Sequence, residues 1–179
     1  QMKSVEHGPR VSAVSATAGR LLPSAALSRF RVIDLSHVRS GPTCVKQFAD
    51  FGADVIKIES PATESDESGL GGARDGYEMQ NLHRNKRALT LDLKRPEGRE
   101  IFHRLVKTPD VVVENYRPHV KARLGCDYET LRKINPRIVL GSISGFGQDG
   151  PYRDRPGMDQ IAQGMSGLMS VTGFPDQPP

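Results

Sequence analysis

Short apolar runs alternate with helix-like segments from Phe30 onward, and this alternation constrains the fold more than any other feature of the sequence. The clearest run is Asp110-Val-Val-Val-Glu114, which is polar only at its ends, as expected of a strand covered on both faces of a parallel sheet. Further strands are predicted at 31–35, 54–59, 88–93 and 137–143. Strands that alternate with helices predict right-handed βαβ units, and therefore an α/β fold with a Rossmann-like parallel sheet.

Helices are predicted between these strands. One begins at Gly41-Pro42 and runs through Phe51, where Gly52 ends it. Another begins at Pro96, with its apolar positions Ile101, Leu105 and Val106 on one face. Three more are predicted at 120–124, 128–134 and 158–171, and a loop rich in glycine and acids is predicted from 60 to 76.

The first 29 residues differ in composition from the rest of the chain. They are rich in Ser and Ala and have four basic residues but a single acid, Glu6. Organelle transit peptides have this composition, whereas the lack of a sustained amphipathic period favours a disordered tail. Residues 30–179 are then expected to form the amino-terminal part of a large domain whose remainder lies beyond Pro179.

Charge and cysteine content exclude several classes of protein. The 25 Lys and Arg residues exceed the acids by only 4, too few for a nucleic-acid binder but suitable for an anionic small molecule. No apolar run approaches the ~20 residues that cross a bilayer. Cys44 and Cys126 lack metal or redox spacing, which indicates reduced thiols in a cytoplasmic protein. A mitochondrial location would follow if the tail were a transit peptide, and neither a metal nor a permanently bound cofactor is expected.

Four segments with polar or glycine residues follow predicted strands, at 36–42, 94–95, 114–118 and 144–150. Each alone could be an ordinary turn. Parallel sheets bind ligands beyond the carboxyl ends of their strands, so together the four segments predict a ligand crevice.

Several single features have two interpretations. His37 could be a base or ligand contact, or a capping or packing group. The cluster His83–Arg87 could meet phosphates or form a solvated loop, and Asp159 could be a site carboxylate or a helix cap. The glycines in 145–150 match a dinucleotide pattern, but Pro151 and Pro156 prevent the helix that this pattern requires.

Read in order, these segments resemble a known family. The segments are 31–42, 52–59, 85–94, 96–98, 110–118, 135–136 and 144–151, including Asp-Leu-Ser-His-Val-Arg-Ser-Gly-Pro42, Asp54-Val-Ile-Lys-Ile-Glu59 and Glu114-Asn-Tyr-Arg-Pro118. As a set they resemble the CaiB/BaiF family of class III CoA-transferases, which includes formyl-CoA:oxalate transferases and α-methylacyl-CoA racemases. The resemblance extends from Phe30 to Pro179.

The resemblance implies the amino-terminal part of a CoA-transferase family III large domain, a second small domain, and an interlocked homodimer. It implies CoA as a substrate, together with a small carboxylic acid. CoA contacts are implied at ten positions, namely His37, Val38, Arg39, Ser40, Leu91, Lys94, Asn115, Tyr116, Arg117 and Arg123. Lys94 and Arg123 suit the CoA phosphates, and Tyr116 offers an aromatic face. Ser60 stands where formyl-CoA transferases have an arginine, which removes one phosphate contact.

The implied mechanism is covalent, with an aspartate nucleophile expected beyond Pro179 and Asp159 as a supporting carboxylate. Racemases of the family need a histidine at the position of Met158, so the racemase alternative is disfavoured. Arg39 could clamp a second carboxylate of the acyl group or pair with a nearby surface acid. A non-catalytic remnant that binds CoA or dimerises remains a third alternative.

Overall fold

The computed structural model describes residues 24–61, 76–174 and 177. Its strands are β1 (Arg31–Asp34), β2 (Asp54–Glu59), β3 (Arg87–Thr90), β4 (Val111–Glu114) and β5 (Val139–Ser142). Its helices are α1 (Ser40–Asp50), α2 (Tyr77–His83), α3 (Pro96–Val106), α4 (Pro118–Leu124), α5 (Tyr128–Ile134) and α6 (Asp159–Met165), and a 3-10 helix follows at Leu168–Val171.

All five strands are parallel and lie in the order β3-β2-β1-β4-β5. The chain moves outward from β1 to β3 and then crosses back to β4 on the other side of β1. The strand order therefore reverses between β1 and β4, the position at which open parallel sheets bind their ligands. The predicted α/β fold with a Rossmann-like parallel sheet is confirmed.

Helices cover both faces of the sheet, because alternate strand residues point to opposite sides. Val32 and Val55 pack with Val45 and Ala49 of α1 on one face. On the other face, the residues that pack together come from the strands, α3, α4 and α5 and include Ile33, Leu35, Ile58, Phe102, Val106, Leu124 and Leu131. The strands β1, β2 and β4 are thus packed into the core, so the loops that follow them have rigid anchors.

Two helix predictions need correction. Ile101 is not on the buried face of α3, since it is 42% exposed while Phe102 and Val106 are buried. The single helix predicted at 158–171 is two pieces, because α6 ends at Met165 and Gly167 adopts a left-handed φ of 83° before the 3-10 helix. Glycine adopts that conformation without steric cost, which breaks the helix there.

The amino-terminal tail prediction falls largely on residues 1–23, which lie outside the described residues. Residues 24–29, which were assigned to the tail, contact the domain instead. The Leu27 N–H donates to the Phe51 carbonyl over 2.9 Å, and Leu27 packs against the α1 face of the core. A side chain at Gly52 would come within 1.9 Å of the Ser24 carbonyl oxygen, so this close approach requires glycine.

Three further features of the described residues bear on function. None of the helices within 24–61 and 76–174 is long and apolar enough to cross a membrane. In the same ranges no group of three or more His, Cys, Asp or Glu side chains is arranged to hold a metal ion. Both cysteines are free thiols, with Cys44 exposed and Cys126 buried.

Candidate functional site

The loops that follow β1 and β4 meet at the carboxyl edge of the sheet. The His37 N–H donates to Asn115 Oδ1 over 2.8 Å, and Asn115 Nδ2 donates to the His37 carbonyl over 2.7 Å. The His37 ring lies 5.6 Å from the Tyr116 ring, with Nε2 3.2 Å from the phenol oxygen. Three residues predicted as separate CoA contacts are therefore one hydrogen-bonded group, at the point where the strand order reverses.

The His37 side chain is held in its neutral form. Desolvation of the ring, followed by the positive charge of Lys57, lowers the pKa of His37 to about 4. Burial also raises the pKa of Tyr116 well above its usual range. At neutral pH this pair can exchange hydrogen bonds with a polar ligand but carries no charge, so phosphate recognition must come from other residues.

The loop after β1, residues 35–39, has a constrained backbone. Val38 has a left-handed φ of 63°, which a β-branched residue rarely adopts. A side chain at Gly41 would lie 2.2 Å from Ser36 Cβ, so the first turn of α1 packs directly on the loop. Ser40 is the first residue of α1, and no side chain caps its amino end within the described residues. The loop thus presents His37, Val38 and Arg39 together at the sheet edge.

Arg39 binds a carboxylate of the neighbouring helix α2. Its Nε lies 2.7 Å from Glu78 Oε1, and its Nη2 donates to Glu78 Oε2 over 3.3 Å. The Arg39 side chain is 71% exposed in this fork-like arrangement. The structure therefore contains the pairing with a nearby acid, and it leaves the guanidinium accessible at the rim of the crevice.

A charged cluster lies buried directly beneath the β1 loop. Asp34 and Lys57 face each other across β1 and β2, with 0% and 4% of each residue exposed. Lys86, whose side chain is 1% exposed, places its Nζ 2.9 Å from Asp34 Oδ2. The pKa of Asp34 stays below its usual value because the charges of Lys57 and Lys86 outweigh its desolvation. The interpretation of the His83–Arg87 cluster as a solvated loop is wrong for Lys86, which is an interior residue.

A second buried carboxylate ends β4. Glu114 is 0% exposed, and its Oε2 accepts the Tyr116 N–H over 2.7 Å. Its Oε1 lies 3.3 Å from Lys121 Nζ but accepts no hydrogen bond in the described part of the chain. Lys121 also donates to Ser142 Oγ over 3.2 Å and to Gln148, so it joins the ends of β4 and β5.

The remaining predicted CoA contacts lie around the same edge. Leu91 and Tyr116 both pack against the α3 side of the core. Lys94 is exposed between β3 and α3, and its carbonyl accepts from Arg99 Nη1 over 3.2 Å. A side chain at Gly125, next to the end of α4, would lie 3.5 Å from Arg99 Cδ, so α4 packs beside that turn. Arg117 is exposed immediately before α4, and Arg123 is exposed in its last turn.

Asp159 begins α6 near the end of β5. The backbones of Gly145 and Gly157 approach so closely that a side chain at Gly145 would lie 2.4 Å from Gly157 Cα. This contact folds the loop back and brings the start of α6 to the carboxyl edge. The capping role for Asp159 does not match the structure: Met158 is the N-cap, and Asp159 Oδ2 accepts from Gln163 Nε2 over 2.6 Å.

The glycine-rich loop after β5 does not lead into a helix. Gly147 and Gly150 have φ values of 85° and 82°, and turns occupy 151–155 before α6 begins. A dinucleotide site needs the helix to begin directly behind the glycines. The expectation against nicotinamide binding agrees with this geometry.

Sequence reasoning missed the buried charges Asp34, Lys57, Lys86 and Glu114. A signal was present in the strands: Lys57 interrupts the apolar run Val-Ile-Lys-Ile, and a lysine is almost never fully buried unless it is paired. Partners more than twenty residues away in the chain could not be assigned from one sequence. Only the strand order brings Lys86, just before β3, within reach of Asp34 on β1.

The chain is similar in sequence to known proteins. A sequence profile of CoA-transferase family III matches residues 27–179. A succinate–glutarate CoA-transferase of Agrobacterium fabrum is 46% identical over 162 residues, covering 86% of this chain and 40% of that protein. A formyl-CoA:oxalate CoA-transferase of Rhodopseudomonas palustris is 44% identical over 158 residues, covering 86% of this chain and 37% of that protein.

A solved structure shares the fold. The crystal structure of a CaiB/BaiF family protein from Brucella suis superposes with a TM-score of 0.76 at 39% identity, covering 86% of this chain and 42% of that one. The chain therefore spans about two fifths of the length of the relatives that it matches.

Proposed function

Because this chain belongs to CoA-transferase family III, we propose that the protein of which it is a part transfers CoA from an acyl-CoA to a small carboxylic acid through covalent aspartyl intermediates. The observation that carries this proposal is the hydrogen-bonded group of His37, Asn115 and Tyr116, which joins the ends of β1 and β4. It assembles the implied CoA contacts at the sheet edge where parallel folds bind ligands.

The chemistry of CoA fits the distribution of side chains around this edge. The neutral His37–Tyr116 pair and Leu91 offer an uncharged, partly apolar surface for the pantetheine arm. Lys94 and Arg123 are exposed, so they can meet the phosphates without first breaking a buried ion pair. The proposal therefore assigns the neutral side chains to the pantetheine arm and the exposed cations to the phosphates, because CoA is charged at one end.

The proposed reaction exchanges one thioester for another in four steps. The aspartate carboxylate attacks the acyl-CoA carbonyl, which forms a mixed anhydride and releases CoA thiolate. The thiolate attacks the aspartyl carbonyl, giving an aspartyl-CoA thioester and freeing the first acid. The acceptor carboxylate then attacks this thioester, which forms a second mixed anhydride and releases CoA thiolate. The thiolate attacks the acceptor carbonyl of that anhydride, giving the new acyl-CoA and restoring the aspartate. Dividing the exchange in this way replaces one difficult step with easier ones.

The nucleophile is proposed to lie beyond Pro179, and Asp159 is proposed to help position the acyl group at the start of α6. The 179-residue chain alone is then expected to have no transferase activity. The racemase alternative lacks its proton-transfer residue, because Met158 occupies that position. The third alternative is a non-catalytic protein. Such a protein would bind CoA or form a dimer, but it would form no covalent aspartyl intermediate.

We further propose that the acyl group carries a second carboxylate. Arg39 holds the two oxygens of Glu78 in a fork, which is also how a guanidinium binds a substrate carboxylate. The relatives named for succinate, glutarate and oxalate support this class of acid. Arg39→Gln in the full-length protein should raise KM for succinyl-CoA about tenfold or more beyond any rise in KM for acetyl-CoA, which shares only the CoA contact. Equal effects on both substrates would contradict the dicarboxylate assignment.

A homodimer in the cytoplasm completes the proposal. The residues of α6 and the 3-10 helix expose large apolar side chains, including Ile161, Met165, Leu168 and Val171. An interlocked dimer or the remainder of the chain would cover such a surface. Sedimentation of the full-length protein should give twice the monomer mass.

The test of the reaction is to detect the covalent intermediates. The full-length protein is mixed with acyl-CoA, quenched in acid, and digested for mass spectrometry. An aspartyl peptide heavier by CoA, minus water, is the expected result, and it should disappear when a carboxylate acceptor is added. CoA exchange without any modified aspartate would contradict the mechanism, whereas no exchange and no adduct would contradict the transferase function itself.

A further inference from the structure

Three buried charges lie under the CoA-contact loop and fix both of its ends. The Ser36 N–H donates to Asp34 Oδ1 over 2.9 Å, and the Ser36 hydroxyl donates to the same oxygen. Lys57 Nζ donates to the Ser36 carbonyl. Lys86 Nζ donates to the Pro42 carbonyl over 3.1 Å and pairs with Asp34. The buried lysines thus bind carbonyl oxygens on both sides of residues 37–41, at Ser36 in the loop and at Pro42 in the first turn of α1.

The backbone between those points needs such support. Val38 adopts a φ of 63°, a conformation that costs energy for a β-branched residue and persists only where the surroundings determine it. The residues His37, Val38, Arg39 and Ser40 of this short segment are exposed. A change in the position of Ser36 would move all of these proposed CoA contacts together.

Burying two lysines with one aspartate is otherwise costly. Desolvation lowers the pKa of both lysines, that of Lys57 to about 8, so the interior penalises the charges that the chain places there. An apolar side chain of similar size usually replaces a buried ion pair without loss of stability. The physical reason for these buried charges is therefore the ordering of the backbone of residues 36–42, rather than a gain in the stability of the fold.

We propose that Lys57 and Lys86 are positioning residues of the CoA site, which act through the backbone of residues 36–42 and touch neither CoA nor the acyl group. This inference rests on the proposed function and assigns the site a second layer of residues. Its central step is that Lys57 holds the Ser36 carbonyl of the loop and Lys86 holds the Pro42 carbonyl in the first turn of α1.

The experiment uses Lys57→Met and Lys86→Met in the full-length protein, with Lys133→Met, an exposed lysine of α5, as the matched control. Methionine keeps the length of the side chain and removes the donated hydrogen bond. Calorimetry is expected to show CoA affinity about tenfold or more weaker in each buried-lysine variant, and unchanged in the control.

Amide hydrogen exchange separates positioning from folding. The amides of Ser36 and His37 should exchange faster in Lys57→Met. Those of Val139 and Ile143 should stay protected, because they donate to the carbonyls of Asp110, just before β4, and of Glu114, at its end. Unchanged CoA affinity in a folded variant would overturn the proposal. Loss of protection throughout the sheet in both variants would also overturn it, because the lysines would then hold the fold. Failure of the wild type to bind CoA would instead contradict the proposed function.

Discussion

The adjacent strands β1 and β4 both end in a buried carboxylate, but the two carboxylates differ in the number of their partners. Asp34 on β1 and Glu114 on β4 are both buried carboxylates, and each accepts the backbone N–H of the residue two positions later. Asp34 is matched by two lysines and also binds the Ser36 hydroxyl. Glu114 is matched by Lys121 alone, whose side chain is 11% exposed, and one of its oxygens accepts no hydrogen bond within the described residues.

This difference shows how the two sides of the crevice are organised. The β1 side is closed and over-determined, and it holds a loop with a left-handed valine. On the β4 side, Lys121 is partly exposed and donates to Gln148 in the glycine-rich loop. We therefore expect substitutions of the buried charges to destabilise the protein more on the β1 side than on the β4 side. On the β4 side, solvent or Gln148 can replace a lost partner of Lys121.

The largest expected effect follows from removing the charge of Asp34. Asp34→Asn keeps the shape of the side chain but leaves two buried lysines without their counter-charge, which should cost about 3–5 kcal/mol of unfolding free energy at pH 7. Urea denaturation followed by circular dichroism measures the change. If Asp34→Asn lowered the free energy of unfolding by less than the corresponding change at Glu114, the stronger dependence of the β1 side on its buried charges would be contradicted.

The next effect is a pH dependence that belongs to the β1 side. The pKa of Lys57 is about 8 in the folded protein and 10.5 when unperturbed. Between these values the unfolded chain binds more protons, so the free energy of unfolding should rise with pH, by up to about 3 kcal/mol from this residue. The measurement compares unfolding of the wild type with that of Lys57→Met from pH 7 to 10.

The comparison with Lys57→Met is needed because another group acts in the opposite direction. Burial raises the pKa of Cys126 from 9.0 to about 12, so ionisation of this thiol favours the unfolded state above pH 9. Both proteins share that contribution, and it cancels in the difference between their curves. Parallel curves from pH 8 to 9 would contradict the assignment to Lys57.

A smaller effect is expected on the β4 side. Glu114→Gln keeps an oxygen for the Tyr116 N–H, and Lys121 retains Ser142 and Gln148 as partners. The expected cost is about 1–3 kcal/mol by the same urea denaturation. Destabilisation equal to that of Asp34→Asn would show that the partial exposure of Lys121 does not lower the cost of removing its counter-charge.

The smallest effect on stability is expected at Asp159, beside the end of β5. Its residue is exposed and its described partner is the neighbouring Gln163, so Asp159→Asn in the full-length protein should shift the free energy of unfolding by less than about 0.5 kcal/mol. The kcat should nevertheless fall, because a carboxylate proposed to serve the intermediates is lost. An unchanged kcat with an unchanged melting temperature would remove Asp159 from the catalytic group.

The sheet and most of its helices could be predicted because their signals are local, whereas α2 was not predicted. Strand β2 and helix α5 have the predicted bounds, since each is flanked by residues that end it, Gly52 and Asn135 among them. The α6 region could not, because its apolar residues suggest one buried helix while Gly167 interrupts it and none of its residues is buried. A local pattern does not reveal what covers a surface.

Some residues of the candidate site could be predicted from the sequence, and others could not. The post-strand positions of His37, Asn115 and Tyr116 predicted that they would share one edge, because parallel strands align their ends. The family resemblance, now confirmed, gave the candidate contacts. The positions of Lys57 and Lys86 beneath them depend on the pairing of β1 with β2 and of β2 with β3. Such pairing involves residues far apart in the chain, so no short-range pattern reveals it.

The most direct test of the central claim, that CoA binds at this edge with its phosphates at the rim, is calorimetry on Arg123→Ala of the full-length protein. Arg137→Ala is the control, because Arg137 is exposed just before β5, at the opposite edge of the sheet. CoA affinity should fall about tenfold or more in Arg123→Ala only, while the affinity for pantetheine, which lacks the nucleotide phosphates, stays unchanged. Equal CoA affinity in both variants and the wild type would contradict the account.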